Sequence, residues 1–484
     1  MWQNLRTSNG TFYMIHADYD DRDFYKSRNE SFVKVLAFYE NRFPENRLFC
    51  QLWFEGLRDP VVSEVSEITA LGNYNHNIQN VDGFSPFFIT CLNPFAYQNL
   101  IPSSVSVVES KCDKPINNFP IIQNLPKSNE KKPLAVCLKL LNYTNFDNEM
   151  MVIEWIEIML VLGVDKIIVS AIDIHPKIFR ILKYYESVVK VELLMMTLPK
   201  NIPKLEAQIT ENDKLIYTDC FYRHMFEYKF IIPIDIDELI IPNRAEDKTL
   251  VDLLNRVIDQ GKVVQKNLYA SYVAQQSLFL LNNNHKNEIQ KEVPDEFHFL
   301  QHIYRAKLLV PFNESPKSFI NTDIVTVLNQ HLAIRCNGMQ NCSHFDIDPS
   351  DATTHHYREK TPWYFEKFDE EVRLNTTRDI SLWKYKDEII RNVHKTVVKL
   401  KSFSISWNFK FWTFLSYLDW NKKIKLINCK ILWHRLNTTS RYVTFFYWRI
   451  FFSLYWLSQI ADLPKVWRTF RTTPYTNSSK PGRG

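Results

Sequence analysis

A chain of 484 residues, 45% hydrophobic and 23% charged, is long enough for two or three domains and a large core. Its 59 basic and 54 acidic residues leave a net charge of +5, which gives no reason to expect a nucleic-acid partner. Only 9 glycines occur, with no glycine-rich dinucleotide fingerprint and no phosphate-cradling Gly-Lys-Ser/Thr loop, so a bound nucleotide must be held by side chains, metal and ordinary loops.

Residues 1–130 read as a β-rich region, with short apolar stretches at 32–38 and 48–54 between Pro, Asn and Gly turn signals. The polar stretch 123–133, with Lys127, Lys131 and Lys132, reads as a linker. From residue 134 the rhythm changes. The pattern predicts a strand over 134–141, a helix over 148–162 with Glu154 and Glu157 on an exposed face, and a stop at Gly163. A buried strand at 166–171, a helix at 176–185, a strand at 188–196 and a helix over 208–227 follow. This alternation predicts an α/β fold with a doubly wound, mainly parallel sheet over 134–390. Further strand-like runs lie at 263–281, 317–320, 324–327 and 331–334. The extension 391–484 is aromatic and basic and reads as mostly helical. Within it, 442–461 has Arg449 as its only charge and is long enough to cross a bilayer. A charge near the centre of a span costs about 2.5–3.5 kcal/mol, so an interfacial or packed helix is the preferred reading and membrane association stays open.

The chemistry concentrates in Tyr228-Lys-Phe-Ile-Ile-Pro-Ile-Asp235-Ile-Asp237-Glu238-Leu-Ile-Ile-Pro242, an apolar run interrupted by three carboxylates within four residues. Burying those charges unpaired would cost several kcal/mol each, so a hard divalent cation with oxygen ligands is the natural partner. Side chains at i and i+2 of a strand point the same way, which would let Asp235 and Asp237 share one ion. A solvated strand-to-loop turn is the plainer alternative. In a doubly wound sheet the cluster would sit at the carboxyl end of a strand, where ligands bind.

Eight cysteines (50, 91, 112, 137, 220, 336, 342 and 429) form no Cys-x-x-Cys pair, which argues against a zinc ribbon or redox dithiol. Their even number suits disulfides in an oxidising compartment, with buried thiols as the alternative, and Cys336 and Cys342 are close enough to close a small loop. Asn-x-Ser/Thr sequons start at Asn9, Asn29, Asn142, Asn313, Asn341, Asn375, Asn437 and Asn477, weak support for secretion in a chain rich in these residues. The opening residues, Met1-Trp-Gln-Asn-Leu-Arg6, carry no basic-then-apolar signal segment.

Several elements together resemble glycosyltransferase family 92. They are Val152-Ile-Glu154-Trp155-Ile-Glu157 with Leu162-Gly163-Val164, then Asp219-Cys220-Phe-Tyr-Arg223, then Ile234-Asp-Ile-Asp-Glu-Leu239 with Pro242. Lys317-Ser-Phe-Ile320 and His356-Tyr357-Arg358 complete the order, and Asn9-Gly-Thr-Phe-Tyr13 with Asp20-Asp-Arg22 resembles the start of the luminal part of such proteins. The resemblance covers 134–390 well and 1–130 loosely. It implies a GT-A-type fold and an inverting galactosyltransferase that uses UDP-galactose, with Mn2+ (or Mg2+) at the Asp-x-Asp motif and a glycan on a glycoprotein or glycolipid as acceptor. It also implies a Golgi membrane protein with a luminal catalytic domain and an N-terminal anchor, which the opening residues of this sequence do not carry.

On that resemblance the metal ligands are Asp235, Asp237 and His356, with His355 a rival to His356. Donor binding falls to Asp235, Asp237, Glu238, Lys317 and Arg358, the last two as partners of the diphosphate. Taken singly, each of these cations also suits an ordinary salt bridge. Asp346 and Asp348, in a loop before His356, are the candidate general base, though loop acids are usually just solvated. Two rival readings remain. A metal-dependent phosphohydrolase or phosphotransferase with Asp235 as nucleophile usually follows the acids with Gly and Thr, where this chain has Glu238-Leu239. A non-catalytic glycan-binding relative is disfavoured by the intact Asp235 and Asp237.

Overall fold

The computed structural model describes residues 2–40, 44–71, 84–124, 130–143, 148–199, 206–266, 268–337, 341–362 and 369–401. The 442–461 segment, Cys429 and nearly all of the extension lie outside them.

Eight strands come first: β1 (Gln3–Thr7), β2 (Gly10–Asp20), β3 (Phe32–Tyr39), β4 (Phe49–Trp53), β5 (Val61–Ala70), β6 (Ser85–Leu92), β7 (Ser104–Val108) and β8 (Phe119–Ile122), with the short helix α1 (Asp23–Lys26) after β2. They pair in the order β1-β2-β3-β6-β5-β4-β7-β8, and β8 returns beside β2 through Ala17↔Ile121 and Asp18↔Ile122. Seven strands therefore close into a barrel. Its interior is an apolar core that includes Phe12, Met14, Val35, Ala37, Leu52, Ile89, Val105 and Val107, and a disulfide joins Cys50 of β4 to Cys91 of β6. Closure removes the free edges through which open sheets aggregate.

The second region begins with β9 (Lys132–Tyr143), α2 (Glu149–Val161), β10 (Lys166–Ile174), α3 (Pro176–Ser187), β11 (Val191–Met195), α4 (Glu206–His224) and β12 (Tyr228–Ile234). β13 (Glu238–Pro242), α5 (Leu250–Val264), β14 (Ser271–Ala274), β15 (Gln276–Leu280), β16 (Tyr304–Ala306), β17 (Lys317–Asn321), β18 (Val325–Leu328), β19 (Ala333–Cys336), β20 (His344–Ile347) and β21 (Ala352–Arg358) follow. α6 (Asp369–Leu374), β22 (Thr376–Arg378) and a helix over 386–401, α7, complete it. The main sheet runs β11-β10-β9-β12-β17-β14-β20. Its first four strands are parallel, β17 is antiparallel to both neighbours, and β20 is parallel to β14. A three-stranded sheet, β13-β21-β15, lies beside it.

The doubly wound, mainly parallel GT-A-like fold expected from the sequence is therefore overturned. A closed barrel takes the first part of the chain and the main sheet is mixed. The βαβ rhythm holds only as far as β12. Beyond it only α5 intervenes before strands return antiparallel, and barrel closure depends on β8 meeting β2, about a hundred residues away. No local periodicity encodes such a contact.

The helices end where their side chains say they should. Asn148 caps α2 by accepting from the Met151 N–H at 3.1 Å. Gly163 follows at φ +84°, where a Cβ would meet Thr249 at 3.0 Å. Thr249 and Asp252 form a capping box on α5. Because α2 is apolar nearly all round it is a buried helix, which corrects the exposed face expected for Glu154 and Glu157. Both acids are buried and partnered. Glu154 accepts the N–H groups of His298, Phe299 and Leu300, and Glu157 accepts from Tyr185 Oη at 2.6 Å and Thr396 Oγ1 at 2.7 Å.

Barrel and mixed sheet are fastened together. Arg22, buried beside Asp20 at 2.8 Å, donates to the carbonyls of Thr322 and Val325 after β17. Disulfides join Cys137 of β9 to Cys220 of α4 and close the small Cys336–Cys342 loop, while Cys112 is an exposed free thiol.

Candidate functional site

The acidic run does not continue as a strand. β12 stops at Ile234, Asp235–Asp237 form a tight turn in which the Glu238 N–H donates to the Asp235 carbonyl at 3.2 Å, and Glu238 opens β13. The i, i+2 argument for a shared ion therefore fails, and the two aspartates face different partners.

Asp235 turns toward cations. Its carboxylate receives the Tyr217 hydroxyl at 3.0 Å and lies 3.5 Å from Lys317 Nζ and 3.6 Å from Lys139 Nζ. Burial would raise this carboxyl, but Lys317, Lys139 and His356 outweigh it and hold the group well below the usual carboxylate range. Lys317 is 1% exposed and meets Glu238 at 2.8 Å. Burial alone would depress the ammonium, and Asp235 and Glu238 reverse that, so it stays charged. Burial and the neighbouring Asp235 push Glu238 up despite Lys317. Gln276 donates to Glu238 at 3.3 Å, and Trp155 Nε1 of α2 holds its backbone carbonyl at 3.0 Å.

Asp237 faces the other way. The β13–β21 register sets Glu238 opposite His356, and His356 reaches Asp237 Oδ2 at 3.4 Å through Nε2 and Glu238 Oε1 at 3.3 Å through Nδ1. Burial lowers the imidazole, but Glu238 and Asp237 raise it further than that, for a net upward shift. Geometry separates the two histidines. His355 packs on Phe279 with ring centroids 4.4 Å apart and lies near Tyr357 Oη and Ser381 Oγ, and burial pushes it down to about 4.

Among the described residues no three His, Cys, Asp or Glu side chains form a ready-made metal cluster. Asp237 and His356 still fit a divalent ion. Cis ligands at about 2.1 Å from one ion are about 3 Å apart, close to the 3.4 Å observed here. A carboxylate–imidazole pair leaves the remaining coordination positions for phosphate oxygens and water, the usual arrangement for ions bound together with a phosphorylated substrate. Asp235, committed to two lysines, does not fit as a ligand.

Two cavities meet at this turn. One of about 270 Å³ is lined by Leu141, Met151, Ile174 and Ile178 together with Lys139, Asp235 and Asp237. The other, about 190 Å³, is lined by Lys139, Lys317, His331, His356 and Arg358 with Asp213, Asp235 and Glu238. Arg358 Nε is buried there without a hydrogen-bond partner among the described residues, an orphan donor that asks for an anion. Asp346 and Asp348 line neither cavity. Both are exposed at the edge strand β20 and the turn after it, where Asp348 accepts from the Ser350 N–H at 2.8 Å.

The sequence reading missed Lys139, Tyr217, Gln276 and His298. Lys139 did leave a signal, as the one charge inside an otherwise apolar strand run. The others are brought in only by the fold. His298 lies near enough for the Asp237 charge to act on it, but burial and His302 push it down to about 4.

A family model for glycosyltransferase family 92 matches residues 132–393, which span all of these groups. The chain belongs to glycosyltransferase family 92. A comparison with curated proteins gives no match. Family 92 membership makes this protein a glycosyltransferase, with a nucleotide-sugar donor and a glycan acceptor as its general partners. The barrel precedes the matched residues, and the cavities at the β12–β13 turn fall within them.

Proposed function

We propose that the β12–β13 turn binds a nucleoside diphosphate sugar together with a divalent metal ion, and that the enzyme transfers galactose from UDP-galactose to a glycan hydroxyl with inversion to a β-linkage. The observation that carries the reading is the division of labour in the acidic turn: Asp237 faces His356 at 3.4 Å, while Asp235 fixes Lys317 and Lys139. Mn2+ or Mg2+ held by Asp237 and His356 would supply Lewis-acid stabilisation of the leaving diphosphate. As the sugar–phosphate bond breaks, charge grows on the diphosphate, and Lys317, Lys139 and Arg358, whose Nε has no hydrogen-bond partner among the described residues, are arranged to receive it. The apolar walls Leu141, Met151, Ile174 and Ile178 suit the base of the nucleotide.

UDP and galactose are the specific choices that follow from the family resemblance. The phosphohydrolase reading loses support because Asp235, its nucleophile, is engaged by Tyr217 and two lysines. An oxidising, secretory-lumen setting suits the three disulfides, and we extend the proposal to a luminal domain of a Golgi membrane protein.

The test is hydrolysis and binding of UDP-galactose, UDP-glucose and UDP-N-acetylglucosamine by the purified protein, with and without Mn2+, beside Asp237→Ala. Metal-dependent preference for UDP-galactose, lost in the variant, is the expected result. Preference for another sugar would correct the donor. Binding of none by the folded protein would overturn the proposal.

A further inference from the structure

Between β15 and β16 the chain runs through residues 281–303 without a strand or helix of its own, yet it is strongly pinned. Glu154, from the buried face of α2, collects the N–H groups of His298, Phe299 and Leu300. The Gln301 amide donates to the carbonyls of Gln290, Val293 and Pro294, the Trp383 indole holds the Leu300 carbonyl at 3.0 Å, and His302 Nδ1 lies 2.7 Å from the His298 carbonyl. A long irregular segment held this firmly is usually a binding element, because a preordered loop loses little entropy when a ligand arrives.

This loop walls a cavity of about 320 Å³ lined by His285, Glu288, His298, Gln301, His302 and Tyr304. His285 and Tyr304 are stacked, with ring centroids 3.7 Å apart and planes 9° apart. The cavity lies one helical turn along α2 from the cavity beside Asp237. Asn148 at the start of α2 lines it, while Met151 of the same helix lines the cavity beside Asp237. The charge of Asp237 reaches His298, whose Nε2 is buried with no hydrogen-bond partner among the described residues. The lining charges separate the two places by ligand type. Here one lysine, Lys286, faces three carboxylates, Glu288, Asp295 and Glu296. A diphosphate would be repelled, while a neutral sugar finds imidazoles and carboxylates for its hydroxyls and aromatic faces for its ring.

Resting on the donor reading above, we propose that this histidine-lined cavity is the acceptor site, taking a neutral pyranose of the glycan and presenting its hydroxyl toward Asp237 and the donor. Glu154 is then a positioning residue, acting through the backbone of residues 298–300.

The test uses the full chain with UDP-galactose and Mn2+, and methyl glycosides of galactose, glucose, N-acetylglucosamine and fucose as acceptor probes. Transfer is followed for wild type, His298→Ala, Tyr304→Ala and the exposed-site variant Glu288→Gln, with folding checked by thermal melting. UDP affinity is titrated separately without glycoside. The expected result is transfer to at least one glycoside, with its KM raised tenfold or more in at least two variants and the UDP dissociation constant changed less than twofold. An unchanged glycoside KM in the folded variants overturns the acceptor assignment. So does a wild type that hydrolyses the donor but responds to none of the four probes. Failure of wild type to bind or hydrolyse any nucleotide sugar is a different outcome. It removes the donor reading, and the acceptor assignment with it.

Discussion

The Asp20–Arg22 pair beside the barrel and the β12–β13 turn of the mixed sheet handle buried charge in opposite ways. At the barrel wall Asp20 and Arg22 are both nearly inaccessible and pair at 2.8 Å, and Arg22 also donates to the main-chain carbonyls of Thr322 and Val325 after β17. At the β12–β13 turn Asp237 keeps a third of its side chain exposed, and Arg358 keeps a buried nitrogen without a hydrogen-bond partner among the described residues. A satisfied buried network fixes structure, whereas an incompletely satisfied one at a cavity has capacity left for a ligand. Topology produces the difference. Seven strands closed on themselves leave no open crevice between strands, whereas the β12–β13 turn lies at the carboxyl end of a strand in the open parallel half of the second sheet.

The comparison is sharpened most by Asp237→Asn. Losing several kcal/mol of metal-assisted charge stabilisation should lower turnover about a thousandfold while the melting temperature stays near that of wild type. Arg22→Met should do the reverse. It strands Asp20 in the interior, and removing one member of a buried pair costs about 3–5 kcal/mol. Denaturant unfolding should show that loss, with turnover per folded molecule retained. If Arg22→Met abolished activity in a folded protein, the division between scaffold and site would break.

Glu154 provides a pH test. Burial raises its carboxyl and the three N–H groups pull it part of the way back, leaving it at about 7 against 4.5 when exposed. Between those values the folded state keeps a proton that the unfolded chain has lost. This contribution is therefore full below about pH 4.5 and falls away as pH rises through 7, by roughly 3 kcal/mol at most. Glu154→Gln should flatten that part of the stability–pH curve, as read by unfolding at pH 5 and pH 7.5. The smallest effect is expected from Asp346→Asn and Asp348→Asn. Both carboxylates are exposed and line neither cavity at the turn, so turnover should change less than about twofold, within the usual range for surface substitutions.

What the sequence revealed, and what it hid, follows the reach of each interaction. The acidic run, its apolar flanks and the strand–helix alternation through Ile234 are local patterns and were legible. Barrel closure was not, because it needs Ala17 beside Ile121. The burial of Glu154 and Glu157 was hidden for a related reason: their partners, the 298–300 backbone, Tyr185 and Thr396, lie 28 to 239 residues away. The strand period suggested that Asp235 and Asp237 point together, and a turn at that point reversed the inference. His356 could be named from resemblance, but only the register shows that it, and not His355, stands opposite Glu238. The 281–303 loop, polar and without periodicity, gave no signal at all.

The central claim is that Asp237 and His356 jointly hold the metal that binds the donor diphosphate. The direct measurement is calorimetric titration of UDP into wild type, Asp237→Ala and His356→Ala, each with and without Mn2+. The account predicts that Mn2+ strengthens UDP binding at least tenfold in wild type and in neither variant. Equal UDP affinity with and without Mn2+ in wild type, or metal-dependent binding that survives in both variants, would contradict it.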